Sequence, residues 1–235
     1  MFNPEAKVEL VEIKGERPCL MIDDFLQDPE SWVSRAEAFQ SYFVAPQRNA
    51  YPGHELRMPD EVTDTFVEKL RPLFERFFGI EEILDSYSRL SMVTRQPNSL
   101  EPRQWICHRD RLRVAPGRMA VASVLYLFKE PALGGTKLFR PRQDANATDL
   151  LVHDSSTMDS ETFAAKYGLQ ASYMTASNDY FEQIHAISPK WNRLVIYDGM
   201  IFHSGDIPHP ELLSTEPKTG RLSLNGFFTG RLASS

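Results

Sequence analysis

A series of short β-rich runs, each closed by turn residues, constrains the second part of the chain most. From Ser88 onward these runs are separated by Gly, Pro and Asn, as strands joined by tight turns are. The runs read "SRLSMVT", "MAVASVLYLF", "TKLFRP", "RLVIYDG", "MIFHSG" and "RLSLNGFFTG". Several short strands in this arrangement are typical of a sandwich, a jelly roll or a barrel.

The N-terminal part has a different texture, with alternating segments followed by helical ones. The segments "KVELVEI" and "CLMIDDF" alternate as half-buried strands do. Asp28-Pro29 predicts the start of a helix, because Asp is a good N-cap and Pro is tolerated at the first helical position. An apolar stripe then follows at helical spacing. It consists of Trp32, Ala36, Phe39 and Phe43.

Two further helical stretches are expected. One starts near Asp60, where Pro72 should kink or split it and Gly79 should end it. The other lies within a polar segment at about 142–182, which predicts one helix capped by Ser160 and stopped by Gly168. This segment is a candidate lid or insertion in the β-rich part.

Composition limits the class of protein. With 235 residues we expect one domain over 1–235, in which strands and helices at 1–87 flank a β-rich core at 88–235. Charges of both signs are interspersed and sum to -6, so neither a nucleic-acid partner nor a membrane surface is expected. No apolar run approaches the roughly 20 residues of a membrane span. Two cysteines make no disulfide framework, which fits a cytoplasmic protein.

The triplet His108-Arg109-Asp110 matches the opening of the protein-kinase catalytic loop. That loop requires an Asn where this chain has Ala115. The chain also lacks a Gly-rich phosphate loop and an Asp-Phe-Gly motif. We therefore set the kinase interpretation aside.

The same triplet fits a metal site better. On a strand, His108 and Asp110 point the same way while Arg109 points the opposite way. A compact site needs a third ligand, preferably a neutral imidazole if the metal is Fe(II) with open positions. His203 has the best context, because "RLVIYDGMIFHSG" predicts a strand, an Asp-Gly turn and a second strand that ends on this histidine. His185, in "YFEQIHAI", is the alternative.

The last strand carries a candidate anion-binding pair. In "TGRLSLNGFF", Arg221, Ser223 and Asn225 would face inward together, with Leu222 and Leu224 on the other side. A buried Arg needs a carboxylate partner, since an unpaired buried charge is costly. If that partner is a ligand, Arg221 offers a two-pronged grip and Ser223 adds a hydroxyl donor.

These residues resemble the motifs of a known family. His108-x-Asp110, His203 and Arg221-x-Ser223, in that order, resemble the Fe(II)- and 2-oxoglutarate-dependent oxygenases, particularly the prolyl-hydroxylase-like branch. The segment "VLYLFKEPALGGTKLFRP" looks like that branch's strand ending in Tyr-Leu, its acidic turn, its Gly-Gly pair and its next strand. "LMIDDFLQDPESW" resembles the entry segment of these enzymes. The strand "SRLSMVT" lacks the tyrosine that many relatives carry there.

The resemblance implies a fold and a site. The fold would be mainly β with flanking helices (α+β), a double-stranded β-helix or jelly roll of the cupin-like kind with N-terminal helices. His108, Asp110 and His203 would hold Fe(II). Arg221 and Ser223, with the Tyr126 hydroxyl, would hold the far carboxylate of 2-oxoglutarate.

It also implies an activity. The enzyme would use O2 to hydroxylate an unactivated C–H bond while 2-oxoglutarate is decarboxylated to succinate and CO2. The substrate would be a small molecule, an amino acid or a protein side chain, with the 142–182 insertion and the 204–220 loop as its wall.

Two other classes remain open from the residues alone. A cupin-like metalloprotein that uses a metal without 2-oxoglutarate has little reason to place Arg221 inward. A non-catalytic jelly roll that binds a carboxylate or a protein would not depend on the metal ligands.

Overall fold

The computed structural model describes residues 1–47, 49–111 and 113–233. The strands are β1 (Val8–Val11), β2 (Cys19–Ile22), β3 (Gly53–Arg57), β4 (Ile80–Val93), β5 (Arg118–Tyr126), β6 (Thr136–Pro141), β7 (Phe181–Ile187), β8 (Leu194–Asp198), β9 (Phe202–Gly205) and β10 (Arg221–Leu232). The α-helices are α1 (Glu30–Ala38), α2 (Asp60–Leu73), α3 (Pro102–Trp105), α4 (Ala145–Thr157) and α5 (Ser160–Tyr167).

The strands form two antiparallel sheets. The large sheet has the order β1-β2-β8-β5-β10-β4-β3 and the small sheet the order β7-β6-β9. From β4 onward the chain crosses between the sheets, with β4, β5, β8 and β10 in the large one and β6, β7 and β9 in the small one. Between β4 and β5, His108 pairs with His203 of β9 through an isolated bridge and so adds a fourth, very short member to the small sheet. This winding is that of a jelly roll, and the predicted fold class is confirmed.

One face of the large sheet packs against an apolar layer of helices, and the other faces the space between the sheets, which holds a second apolar cluster and the polar cavity. Leu222 and Leu224 of β10 share one buried cluster with Phe66 and Leu70 of α2, so the N-terminal helices cover the outer face. Because side chains alternate along a strand, Arg221 points into the space between the sheets. Burying each such leucine stabilises the fold by roughly 2 kcal/mol. This outer layer therefore fixes which residues of β10 face inward.

The first helix begins close to its predicted start. The carboxylate of Asp28 accepts a hydrogen bond from the backbone N–H of Ser31 at 3.2 Å, while α1 itself starts after Pro29, one residue later than expected. Trp32 is buried as predicted. The prediction was wrong for Phe39, which is 48% exposed because α1 ends at Ala38.

The second helix changes its geometry just after Pro72. The α-helix runs through Pro72 to Leu73 and then changes to a π-helical turn over Phe74–Phe78. Gly79 ends it with φ at 69°, a left-handed conformation that glycine adopts without strain, as predicted.

The insertion contains two helices where one was predicted. Gly168 ends α5 as expected, but the cap is Asp159, whose carboxylate accepts from the Thr162 backbone N–H at 2.9 Å; the prediction of Ser160 was one residue off. The missed helix is α4, whose Asp144 cap accepts from the Ala147 backbone N–H at 2.9 Å. Its weak amphipathic pattern gave little signal.

Strand boundaries differ from the predictions in the N-terminal half. Strand β4 begins at Ile80 rather than near Ser88, and β3, which pairs with it, was not predicted. None of the helices in the described ranges has the length and apolar composition needed to cross a bilayer.

Candidate metal and carboxylate site

The backbone brings two predicted ligands together. His108 and His203 exchange two backbone hydrogen bonds, at 2.9 and 2.8 Å, and their rings lie 4.5 Å apart between centroids. The turn before β9 sets this register, since Asp198 accepts from the backbone N–H of Met200 through its carboxylate and from that of Ile201 through its carbonyl. His203 was predicted to end its strand and is instead the second residue of β9.

Asp110 completes the group. Its backbone N–H donates to the carbonyl of Gly199 at 2.9 Å, and its Oδ1 lies 3.5 Å from Nε2 of His203. A Cβ on Gly199 would stand 2.9 Å from Oδ2 of Asp110, so the glycine lets the carboxylate approach the turn. Ligand atoms of His108, Asp110 and His203 all lie within 4.8 Å of one another. His185, the alternative, lies on β7 opposite Leu138 and outside this group.

The two rings are prepared differently. Nδ1 of His203 lies 2.9 Å from the carbonyl of Ile201, which makes it the protonated nitrogen and leaves Nε2 facing Asp110. Burial and the nearby His203 lower the pKa of His108 to about 3, so this ring is neutral near neutral pH. His108 thus has a lone pair for a cation, and His203 would donate that of Nε2 once a cation replaces the proton that it shares with Asp110.

Asp110 remains ionised. Burial acts to raise its pKa, but the charge and hydrogen bonding of His203 outweigh it and the pKa is lowered. For His203, burial acts to lower the pKa and the attraction of Asp110 raises it overall. Oδ2 of Asp110 is buried and has no hydrogen-bond partner among the described residues. A buried carboxylate oxygen without a partner is costly and implies a missing cation or donor.

Arg221 is the cationic group of the interior. Its side chain is buried, and Nε donates to the carbonyls of Leu133 and Gly134 at 3.1 Å each, while one Nη donates to that of Gly135 at 2.5 Å. No carboxylate from the described ranges forms an ion pair with it. Since carbonyl dipoles neutralise a charge only in part, the guanidinium is prepared for an anion in the cavity.

The Gly-Gly pair shapes this cradle. Gly134 has φ at 79°, and a Cβ there would stand 1.6 Å from the carbonyl oxygen of Asp206. Only glycine permits this turn to press against the loop after β9. The turn then presents its carbonyls to Arg221.

One cavity joins the metal-type group to Arg221. Its lining includes His108, Asp110, His203, Arg221 and Ser223. The structure thus brings the predicted metal residues and the predicted anion pair into one chamber between the sheets. Of the expected wall segments, the insertion contributes Tyr173, and the 204–220 loop contributes Ser204, Gly205 and Ile207.

Tyr126 is placed differently from the other predicted residues. It is fully buried in the inner apolar cluster, and its hydroxyl hydrogen-bonds the hydroxyl of Thr136 at 2.8 Å. Thr136 lines the cavity while Tyr126 is behind it. The hydroxyl therefore has a partner within the protein, and Tyr126 is not among the residues that line the cavity.

Two cavity residues were missed from the sequence. Tyr51 precedes β3, and its buried hydroxyl forms no hydrogen bond of good geometry in the described part of the chain, although Ser223 lies close enough to act on its pKa. Burial raises its pKa to about 12 against the opposing charges of Arg221 and Arg89, so it remains a donor. Arg89 lies on β4 opposite Asn225. A tyrosine in loop sequence and an arginine in a strand have no pattern that distinguishes them, because their partners come from tertiary contacts.

A family model matches the chain over residues 4–228, and its description is "Family of unknown function (DUF6445)". The chain belongs to this family. No curated protein matches the chain. Membership in DUF6445 gives a family and no activity.

Three solved structures illustrate what this DUF6445 chain is similar to. A prolyl-4-hydroxylase from Pseudomonas putida is 15% identical with a TM-score of 0.49, covering 94% of this chain and 95% of that one. SnoN, a non-heme alpha-ketoglutarate-dependent epimerase from nogalamycin biosynthesis, is 10% identical with a TM-score of 0.49, covering 94% and 82%. HygX from Streptomyces hygroscopicus, solved with nickel and 2-oxoglutarate, is 12% identical with a TM-score of 0.47, covering 93% and 84%.

Proposed function

We propose that the protein is an Fe(II)- and 2-oxoglutarate-dependent dioxygenase. The observation that carries this proposal is that one cavity is lined by a His-Asp-His group and by a buried arginine that has no carboxylate partner among the described residues. In the proposed reaction, one oxygen atom of O2 enters a C–H bond of the substrate. The other enters 2-oxoglutarate, which leaves as succinate and CO2.

The three ligand side chains fit a divalent iron centre. Two imidazoles and one carboxylate on one side leave open positions for other ligands, the arrangement used by non-heme Fe(II) oxygenases. His108 is neutral, His203 presents Nε2, and Asp110 supplies the negative charge. The unpartnered Oδ2 of Asp110 would gain the cation that its burial calls for.

The carboxylate end of the cavity fits the rest of 2-oxoglutarate. Arg221 would supply charge-assisted hydrogen bonds to the distal carboxylate, and Ser223 and Tyr51 would supply hydroxyl donors. Tyr126 would act through Thr136, whose hydroxyl it holds, instead of touching the carboxylate itself. This revises the role that the family resemblance implies for Tyr126.

The protein's contribution is binding, orientation and exclusion of water. When bound, iron and 2-oxoglutarate would supply the oxidising chemistry. Arg221 would fix the far end of the co-substrate, so that its 2-oxo acid end faces the triad. The buried aromatic walls Tyr173 and Tyr197 would keep solvent from the reacting atoms.

Arg221 argues against the first alternative, and the His-Asp-His group argues against the second. A cupin-like centre without 2-oxoglutarate would not need a buried guanidinium held by three carbonyls. A carboxylate-binding jelly roll without catalysis would not need the neutral His108 beside an ionised Asp110 whose buried Oδ2 has no hydrogen-bond partner among the described residues.

Succinate formation tests the proposal. Purified protein with Fe(II), 2-oxoglutarate and O2 should form succinate slowly even without the true substrate, and His108→Ala and Arg221→Ala should abolish it. Iron uptake without 2-oxoglutarate binding would favour the cupin-like alternative. Anaerobic 2-oxoglutarate binding that survives His108→Ala, without turnover, would favour the non-catalytic one.

A further inference from the structure

A second buried guanidinium lies in the same cavity. Arg89 has a side chain only 15% exposed, and one of its Nη atoms pairs with Oε1 of Glu55 at 2.6 Å. Its Nε is buried and has no hydrogen-bond partner within the described ranges. Across the sheet, Asn225 stands opposite Arg89, and its Oδ1 is equally buried and unpartnered.

Position along the strands separates this group from the Arg221 cradle. On β10 the inward residues run from Arg221 through Ser223 and Asn225 to Phe227. Asn225 and Arg89 therefore lie two steps along the same face from Arg221, toward the groove lined by Phe227. A ligand carboxylate held at Arg221 leaves this second pair available.

Aromatic rings hold the Arg89 side chain in place. Its guanidinium carbon lies 4.9 Å from the ring centroid of Phe227 and 5.3 Å from that of Tyr51. Phe227 is in turn stacked on Tyr87 at 4.7 Å, and Arg57 lies 5.6 Å from the Tyr87 ring. A guanidinium fixed between rings loses little entropy when it binds an anion.

Arginine side chains line the cavity and the adjoining groove, although the chain as a whole carries -6. The groove shares Asp110 and Phe227 with the cavity. The charged side chains that line the two spaces, histidines aside, are Arg57, Arg89, Arg111, Arg221, Asp85 and Asp110. Three of these arginines have a carboxylate partner, Arg57 in Asp60, Arg89 in Glu55 and Arg111 in Asp85. The case for an anionic substrate therefore rests on the Nε of Arg89, which has no hydrogen-bond partner within the described ranges.

We propose that Arg89 is the specificity-determining residue and that the substrate bears a carboxylate, which Arg89 binds while Asn225 hydrogen-bonds the neighbouring part of the substrate. This inference rests on the proposed function, which places the reacting carbon at the metal. Without substrate, Glu55 holds the guanidinium of Arg89. Glu55 is fixed in turn by Asn49, whose side-chain amide donates to Oε1 of Glu55 at 2.6 Å. The substrate carboxylate would accept hydrogen bonds from Nε and the adjacent Nη of Arg89, so that Glu55 would stay in place.

The test compares acids with their uncharged isosteres. Benzoate and benzamide, and likewise acetate and acetamide, are titrated anaerobically into protein with Fe(II) and saturating 2-oxoglutarate, with binding followed by ligand-observed NMR. For the aromatic pair at least, the acid should bind about tenfold more tightly than the amide. Arg89→Gln should remove that preference, and Arg89→Lys should retain part of it.

Controls separate recognition from folding. Arg231→Gln, on the neighbouring strand β10 and paired with exposed Glu82 of β4, should keep the preference. If Arg89→Gln does not fold, Arg89→Lys and Glu55→Gln decide: Glu55→Gln should keep or increase the preference, because Glu55 repels a second carboxylate. Equal affinity for acids and amides in the native protein overturns the inference, as does a preference that Arg89→Gln or Arg89→Lys leaves unchanged.

The outcome is distinguishable from failure of the proposed function. Loss of the acid preference in Arg89 variants with intact 2-oxoglutarate binding supports both. If the native protein binds 2-oxoglutarate but does not prefer acids over amides, only this inference is contradicted. A native protein that fails to bind 2-oxoglutarate sinks the proposed function, and the comparison of native and Arg89→Gln protein without the co-substrate still decides the role of Arg89.

Discussion

Nε2 of His203 lies 3.5 Å from Oδ1 of Asp110, and the backbone of His203 exchanges two hydrogen bonds with the backbone of His108. Main-chain pairing therefore positions the group, and the side chains can be changed without loss of the frame. We predict that His203→Ala folds and loses affinity for Zn(II) by more than about 100-fold in calorimetric titration. His185→Ala is the matched control and should bind as the native protein does; an equal loss in both variants would refute the assignment.

Arg221 is expected to determine co-substrate affinity. Arg221→Gln should weaken anaerobic 2-oxoglutarate binding by roughly 100-fold, because a buried charge pair loses one partner. Arg231→Gln, near the other end of β10, should leave it unchanged. Equilibrium dialysis with labelled 2-oxoglutarate measures both, and unchanged binding in Arg221→Gln would place the co-substrate elsewhere.

Substitutions of Tyr51 and Tyr126 should have different effects on stability and on 2-oxoglutarate affinity. Tyr51→Phe removes a hydroxyl without a described partner, so we expect little loss of stability and a 2-oxoglutarate affinity lower by about 3- to 10-fold. Tyr126→Phe leaves Thr136 unpaired, so the free energy of unfolding should fall by about 1 kcal/mol while affinity is kept. Urea titration and dialysis on both variants test this, and the reverse pattern would restore Tyr126 to the carboxylate.

Asp23, in the turn after β2, should make the free energy of unfolding depend on pH in the acid range. Hydrogen bonding from Arg193, with help from Lys190, lowers the pKa of Asp23 from 3.8 to about 2. Because the folded pKa lies below the unfolded one, this contribution is complete above the ordinary pKa and is lost as pH falls toward 2.

Asp23→Asn should therefore lower stability near neutral pH by about 0.5 to 1 kcal/mol, a modest value because the carboxylate is partly exposed. The difference from the native protein should shrink as pH falls below about 4. Thermal melts across this range measure it, with the exposed Asp60→Asn as control. A difference that does not change with pH would mean that the ion pair is not its source.

Sequence reasoning succeeded where local pattern and tertiary structure agree. The alternation in "RLSLNGFF" puts Leu222 on the helix-covered face and Arg221 inside, as the structure does. The Asp-Gly turn at 198–199 does place His203 beside His108. These features depend on strand period and turn chemistry, which a sequence displays directly.

It failed where distant contacts decide. Helix α4 is only weakly amphipathic, and its cap at Asp144 was overlooked within polar sequence. Tyr51 and Arg89 enter the cavity because β3 and β4 pair in one particular register. The contact between the Tyr126 and Thr136 hydroxyls is likewise a tertiary one, and the predicted role of Tyr126 in binding 2-oxoglutarate stays a prediction. No periodicity reports such partners.

In the proposed function, one molecule of 2-oxoglutarate spans the His-Asp-His group and Arg221. The most direct measurement compares anaerobic binding of 2-oxoglutarate and of glutarate, which lacks the 2-oxo oxygen, with and without Fe(II). Iron should tighten 2-oxoglutarate binding by more than about tenfold, with a much smaller gain for glutarate. His108→Ala should remove that gain, whereas Arg221→Gln should weaken both ligands. An affinity for 2-oxoglutarate that is the same with and without iron would contradict the account.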